Sequence, residues 1–226
     1  MVGQQEPVIW LRPERAAAGR PAERSRAEIT AVAVRLADHE GLEAVSMRRV
    51  AALLGTGAAS LYRYVATRDD LLDLMIDSTA GEYRLSAASG DWQADLLAVA
   101  HQARDIMRRH PWLPALVIAR PALGPHGIDL LEHVLAVLDG HPAEPARKLR
   151  AFALLGGLTA LFVQNEVAAA DVARQSAYLR HAAAAGDHPY IAAALAAPVG
   201  SPPPEPFIAV LTGALTSVLG PDTAHA

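Results

Sequence analysis

The chain contains no cysteine in 226 residues, which excludes disulfides and thiolate metal sites and fits a reducing compartment. It also lacks an apolar run of membrane length. The longest uncharged apolar stretch, Ala151 to Val163, falls short of the about 20 residues that a span requires. Glu6, Pro7 and Arg12 stand where a secretory signal would need an apolar core, so a soluble, cytoplasmic protein is expected. Alternating β-branched stretches are scarce and internal repeats absent. No paired-carboxylate constellation, nucleophile elbow, phosphate-cradling glycine loop or metal-ligand spacing is found, so neither catalysis nor a cofactor or metal is expected. His126 and His133, seven residues apart on one helix, are too distant to share a metal and read as structural. What remains is a helix-rich chain, 52% hydrophobic, with room for a small domain and a larger one.

Residues 46 to 65, Ser-Met-Arg-Arg-Val-Ala-Ala-Leu-Leu-Gly-Thr-Gly-Ala-Ala-Ser-Leu-Tyr-Arg-Tyr-Val, read as a helix-turn-helix. Ser46 caps a first helix that runs to Leu54 and buries Val50, Leu53 and Leu54, with Ala51 small enough for close crossing. Gly55 lies at the bend, where only glycine takes a left-handed backbone without a Cβ clash. A second helix starts at about Ala58. It turns Leu61 and Val65 inward and Ser60, Arg63 and Tyr64 outward, a set that suits the major groove. Flanking helices complete a three-helix core. Ser25-Arg-Ala-Glu28 is a capping box ahead of Ile29, Ala33, Leu36 and Ala37, closed by Gly41, and Thr67-Arg-Asp-Asp70 opens the run Leu71, Leu72, Met75, Ile76.

Residues 25 to 85 resemble the N-terminal domain of the TetR (tetracycline repressor) family of bacterial transcription regulators. The resemblance is carried by Gly41-Leu42, Ser46-Met-Arg-Arg-Val-Ala51, Leu54-Gly55, Ser60-Leu-Tyr-Arg-Tyr-Val65 and Asp70-Leu-Leu-Asp-Leu74. It implies base-reading roles for Arg48, Ser60 and Arg63, and phosphate contacts for Ser46, Tyr62, Tyr64 and Arg68. Ala58 and Ala59 stand where a methyl touches thymine or simply permits close approach. Tyr62 fits a core position with its hydroxyl at the rim as well as it fits a phosphate contact. Arg49 reads as a solvated charge. Arg63 is the sharpest candidate, because a guanidinium bonds guanine O6 and N7 bidentately.

The expected architecture is all-α: a flexible basic arm over 1–24, a helix-turn-helix DNA-binding domain over 25–85, and a helical effector-binding and dimerisation domain over 86–226. Residues 1 to 68 hold ten Arg against seven acids, and the remainder ten Lys and Arg against seventeen. Such segregation turns the basic end toward DNA. Arg12, Arg15, Arg20, Arg24 and Arg26 lie in the arm and at its junction, in sequence without apolar periodicity. The arm is expected to be mobile when free. Its Gly19-Arg20-Pro21 fits insertion into a minor groove, or equally a tail without a role.

Beyond residue 85 the pattern predicts helices over Asp91 to Arg109, about 112 to 119, 126 to 139, Ala143 to Gln164 with a broken continuation over 168 to 184, and 205 to 219 after an extended Ser201-Pro-Pro-Pro204 connector. Two helices are apolar around much of their circumference. Phe152, Leu155, Leu158, Leu161 and Phe162 surround Gly156-Gly157, and Phe207, Ile208, Leu211, Leu215, Val218 and Leu219 surround Gly213-Ala214. These faces predict a four-helix bundle between two copies, with a buried core helix as the alternative. The resemblance implies such a homodimer on a palindromic double-stranded operator, released by a small organic effector. Asp91-Trp-Gln93 and Arg120-Pro121 resemble segments of the tetracycline repressor, but Arg84, Val99 and the apolar Leu116 or Val117 replace its drug- and metal-contacting residues, which argues against tetracycline with magnesium. Candidate pocket residues are Met107, Trp112, Leu116, Arg120, His133, Val137, Phe152 and Asn165, and they point to a mainly hydrophobic effector. An activator or effector-free DNA binder, and an all-α small-molecule-binding enzyme carrying the motif, stand as the alternatives.

Overall fold

Side-chain caps or first-turn prolines set most of the helix starts. In the computed structural model, which describes residues 8–14, 24–120, 122–167, 169–197 and 205–220 and no side chain from 167 to 173, Ser25 accepts the Glu28 N–H to open α1 (Arg26–Glu40). Ser46 accepts the Arg49 N–H to open α2 (Met47–Leu53). Gly57 precedes the short α3 (Ala58–Leu61). Thr67 and Asp70 form a complete capping box at α4 (Arg68–Ala80), and Asp91 caps α5 (Trp92–Arg109). Proline in the first turn opens α6 (Leu113–Ala119), α7 (Pro125–Val137), α10 (Pro189–Ala196) and α11 (Pro206–Leu219), where its missing N–H costs no hydrogen bond. The long α8 (Pro145–Val167) is followed by α9 (Ala169–Ala184). No strand occurs among the described residues, as the all-α reading expects. Gly19-Arg20-Pro21 and the Ser201-Pro-Pro-Pro204 connector lie outside the described residues.

Local details differ from the sequence reading. The box at Ser25 is half made, because the Glu28 carboxylate pairs with Arg24 at 2.7 Å instead of reaching back to the cap. α10 has no counterpart in the predicted helices. Its alanine-rich stretch shows little apolar periodicity, and only Pro189 marks its start.

Two apolar clusters form the core. The first joins α1, α2, α3 and α4 to Ile106, Met107, Trp112, Leu113, Leu116, Ala160 and Val163, so the N-terminal domain packs directly on α5, α6 and α8. The second holds Leu96, Val99, Val134, Val137 and Leu155 together with Phe207, Leu211, Leu215 and Leu219. That α11 stripe corrects the sequence reading: these four residues cover their own α8 rather than a second copy. At the edge of α8, Glu166 pairs with Arg104 at 2.5 Å and with Arg108 at 2.9 Å. Burial works to raise the Glu166 carboxyl, and the two guanidinium groups outweigh it, so it sits below its ordinary value.

α4 grips the start of α7. Because α7 opens at Pro125, the Gly127 N–H has no acceptor in its own helix, and the Asp77 Oδ1 accepts it at 2.9 Å. The other Asp77 oxygen lies 3.0 Å from His126 Nδ1. Gly124 closes this corner, for a Cβ there would overlap both the Asp77 carboxylate and the Trp10 ring.

Gly124→Ala is expected to destabilise the fold by about 1–3 kcal/mol through overpacking, read as a lowered midpoint in urea, with Gly140→Ala, where a Cβ meets nothing, as the control. The Glu166 carboxyl supports the folded state fully above its ordinary pKa of 4.5 and loses that support as pH falls through the lowered value. The stability gap between wild type and Glu166→Gln should therefore be largest above pH 4.5 and shrink in acid, as urea midpoints across pH would show.

Candidate nucleic-acid interface and its joint to the body

Leu61 and Val65 anchor the second helix-turn-helix segment in the core, and Gly55, at φ +68°, makes the bend between α2 and α3. α3 is a single helical turn. Residues 62 to 64 continue as a turn that keeps the helical spacing, with the Val65 N–H on the Leu61 carbonyl at 2.9 Å. Tyr64, three residues after Leu61, therefore shares the inward face with Leu61 and Val65, and Tyr62 takes the outer one. Tyr64, read as outward-facing, is only 7% exposed and packs in the core, whereas Tyr62 is 51% exposed. The surface position of Tyr62 therefore suits a phosphate, and the burial of Tyr64 removes its ring from the outer face. Leu53, expected in the core, is also 59% exposed, because α2 turns Val50 and Leu54 inward on its other side. Ser46, Arg48, Ala59 and Arg63 are exposed and Ser60 is half-buried on the same unit.

Much of the basic charge serves the unit itself. Arg24 donates to the Leu54 carbonyl at 2.6 Å and Arg26 to the Tyr64 carbonyl at 3.0 Å, so guanidinium groups satisfy a carbonyl at the end of α2 and another in the turn after α3. Arg68, a phosphate candidate, donates to the Val45 carbonyl at 3.1 Å, tying the start of α4 to the loop before α2. Arg49 pairs with Glu40 rather than standing as a lone solvated charge.

The N-terminal arm is also corrected over residues 8–14. Ile9–Leu11 form a 3-10 turn, with Ile9 1% exposed in the first cluster. Arg12 pairs with Asp70, the capping-box carboxylate of α4, and Arg26 donates to the carbonyls of Ile9 and Arg12 at 3.2 and 2.9 Å. Trp10 reaches Gly124 at the α7 corner. This segment straps the motif to the body, and its signal was too short for any periodicity to show.

The joint between motif and body is polar and dense. Asp69, Asp73 and Asp77 recur every four residues on one face of α4. Arg120 pairs with Asp69 at 3.0 Å and Asp73 at 2.9 Å, while Asp77 holds the α7 start. Burial works against the Arg120 charge, but Asp73 and Asp69 outweigh it and hold the guanidinium above its ordinary pKa. Nearby, His110 is buried between Asp38, 2.7 Å from Nδ1, and Glu82, 2.9 Å from Nε2. Trp112 Nε1 donates to the same Asp38 oxygen at 2.7 Å. Burial tends to raise Glu82, but its bonds to Arg109 and His110 prevail and lower it.

Comparison with known proteins agrees with this geometry. The family described as bacterial regulatory proteins, tetR family, matches residues 29–75, and the Tetracyclin repressor-like C-terminal domain matches residues 86–202. The chain belongs to the TetR family. It is 42% identical over 133 residues to the HTH-type transcriptional repressor DrrR1 of Streptomyces coeruleorubidus, covering 58% of this chain and 49% of that protein. An HTH-type transcriptional regulator of Saccharopolyspora erythraea is 39% identical over 132 residues, covering 58% of this chain and 56% of that protein. These matches thus span about half the length of the curated relatives. ActR of Streptomyces coelicolor, solved in complex with (S)-DNPA and with actinorhodin, shares the fold. With (S)-DNPA the TM-score is 0.73 at 27% identity, over 88% of this chain and 98% of that one.

In this TetR-family chain the apolar candidate pocket residues divide between the two clusters. Met107, Trp112 and Leu116 lie in the first cluster, Val137 lies in the second, and half-buried Phe152 packs on that second cluster. His133 is half-buried. Three expectations are corrected. Arg120 and the Trp112 N–H are engaged by α4 and α1 carboxylates instead of facing a pocket, and Asn165 is exposed because its position on α8 turns it to the surface. His126, bonded to Asp77, has the structural role the sequence suggested. An open cleft of about 420 Å³ lies elsewhere, lined by Gly81, Glu82, Arg84, Gln102, Asp105, Ile106 and Arg109.

Because Arg12 faces Asp70, Arg12→Ala should weaken operator binding without changing the slope of log affinity against log salt. Loss of a phosphate contact would instead reduce that slope by about one, and a salt titration separates the outcomes.

Proposed function

We propose that two copies of this chain bind a palindromic operator as a repressor, each placing its Ala58-to-Val65 segment in one of two successive major grooves, and leave it when a small organic effector occupies the C-terminal domain. The observation that carries this reading is the exposed surface of the motif, where Arg48, Ala59, Ser60 and Arg63 stand as base-facing candidates beside Ser46 and Tyr62 as phosphate partners. Arg68 joins the phosphate set through whatever donors its carbonyl bonds leave, and Tyr64 does not. Membership in the TetR family and the likeness to a named repressor support regulation over any enzymatic role.

Pairing is supported by what α8 and α11 leave uncovered. Leu149, Ala153 and Leu161 are exposed at four- and eight-residue spacing on α8, and Ala209, Val210, Gly213 and Ser217 form the exposed face of α11. Small residues there permit close approach of a second copy. For the effector, the zone between the two clusters is the best-supported site. Buried Met107 and Leu116 belong to the cluster on one side of it, and buried Val137 with half-buried Phe152 to the cluster on the other. The ligands of ActR support a small organic molecule as the class.

Release requires the effector to prefer the DNA-incompetent arrangement, and linkage then makes DNA and effector mutually antagonistic. The carboxylates of α4 supply the mechanical connection, since a shift of α6 or α7 pulls on Arg120, His126 and the Gly127 N–H and hence on the helix that follows the reading segment.

In-vitro selection of DNA sites tests this reading. Wild type should enrich twofold-symmetric sequences, and Arg63→Ala should relax one base pair in each half-site, losing about 1–3 kcal/mol of discrimination. Recovery of no symmetric motif above random competitor would overturn it.

A further inference from the structure

The reading segment offers few atoms able to tell one base from another. Ala58 and Ala59 carry only methyl groups, and Leu61, Tyr64 and Val65 are buried. Tyr62 is exposed and stands as a phosphate partner rather than a base reader. Hydrogen-bonding side chains on the segment's outer face are therefore Ser60 and Arg63, and these two bond each other: Arg63 Nη2 donates to Ser60 Oγ at 2.9 Å. The bond has a structural reason. α3 ends at Leu61, and the Arg63 N–H meets the Ser60 carbonyl only at a long 3.4 Å, whereas the Tyr64 and Val65 N–H groups reach the Leu61 carbonyl at 2.8 and 2.9 Å. The backbone thus holds Arg63 less firmly than the two residues after it. An exposed arginine on such a turn samples many rotamers, and a side-chain tie to the preceding turn limits them.

We infer that Ser60 is a positioning residue for Arg63 rather than a reader of its own base. A guanidinium has five N–H donors in a rigid fork, so one bond to Ser60 leaves the remaining edge able to bond guanine O6 and N7 together. Ser60 accepts from the guanidinium and orients that fork before DNA arrives. Direct readout by the Ala58-to-Val65 segment then rests on one arginine per half-site, and the alanines of α3 admit the segment deeply enough for the arginine to reach a base edge. This inference rests on the proposal that the Ala58-to-Val65 segment reads DNA, and the experiment below separates failure of one from failure of the other.

The full chain is compared with Ser60→Ala, Ser60→Thr, Arg63→Ala and the Ser60→Ala/Arg63→Ala double variant by in-vitro site selection, followed by competition binding to single-base-pair variants of the selected operator. Ser60 and Arg63 contribute nothing to the core, and circular dichroism checks that each variant is folded. Arg63→Ala is expected to lose preference at one base pair per half-site. Ser60→Ala is expected to weaken preference at that same base pair by about 2- to 12-fold. Ser60→Thr, which keeps a hydroxyl, restores it, and the double variant matches Arg63→Ala alone. If Ser60→Ala relaxes a different base pair, changes no preference, or adds its own loss to Arg63→Ala, the positioning role is overturned while the reading segment stands. If Arg63→Ala shifts no preference at all, the assignment of the segment itself falls.

Discussion

The Asp77 carboxylate is the contact on which the arrangement of the chain most depends. It lies within α4, is buried to 5% exposure, and takes the Gly127 N–H, a first-turn donor that α7 cannot satisfy itself. A buried carboxylate needs such donors to offset its lost hydration. The helix start gains the acceptor that its own cap residue, Gly124, lacks a side chain to supply. Around this contact the remaining joint assembles: Arg120 on Asp69 and Asp73, His110 between Asp38 and Glu82, and Trp10 over Gly124. Motif and body are consequently joined through α4 by directed polar bonds in addition to apolar packing.

Such a joint has two properties that packing alone lacks. Its bonds have narrow angular tolerance, so a small displacement of α6 or α7 breaks contacts rather than sliding past them. The first apolar cluster also runs unbroken from α1 to α8, so the reading unit and the lower half of the body share one core. The division at residue 85 is therefore one of chain order more than of packing.

The sequence made the motif legible because its signals are local. The caps at Ser46 and Thr67 and the bend at Gly55 each depend on a few adjacent residues, and each forms as read. The misreadings arose where a local rule was misapplied or had nothing to act on. Reading Tyr64 as outward overlooks that, three residues after Leu61, it shares a helix face with Leu61 and Val65, and all three are buried. Ile9 and Trp10 lie in a three-residue turn that no periodicity could reveal. Arg120 and Trp112 read as pocket residues because tertiary partners forty or more positions away, Asp73 and Asp38, were invisible in the pattern. The breadth of apolar surface on α11 was visible, whereas its division between an inner stripe and an outer face of small residues required the packing of α8.

Arg24, Arg26 and Arg68 each close a carbonyl at the end of a motif segment. In each bracket one partner is main chain, present whatever side chain the residue carries. The joint to the body relies mostly on side chains at both ends, with carboxylates of α1 and α4 meeting guanidinium, imidazole and indole donors. The two halves of the molecule therefore differ in how a substitution reaches them: a bracket is lost only by replacing its arginine, whereas a tie of the joint is lost from either end.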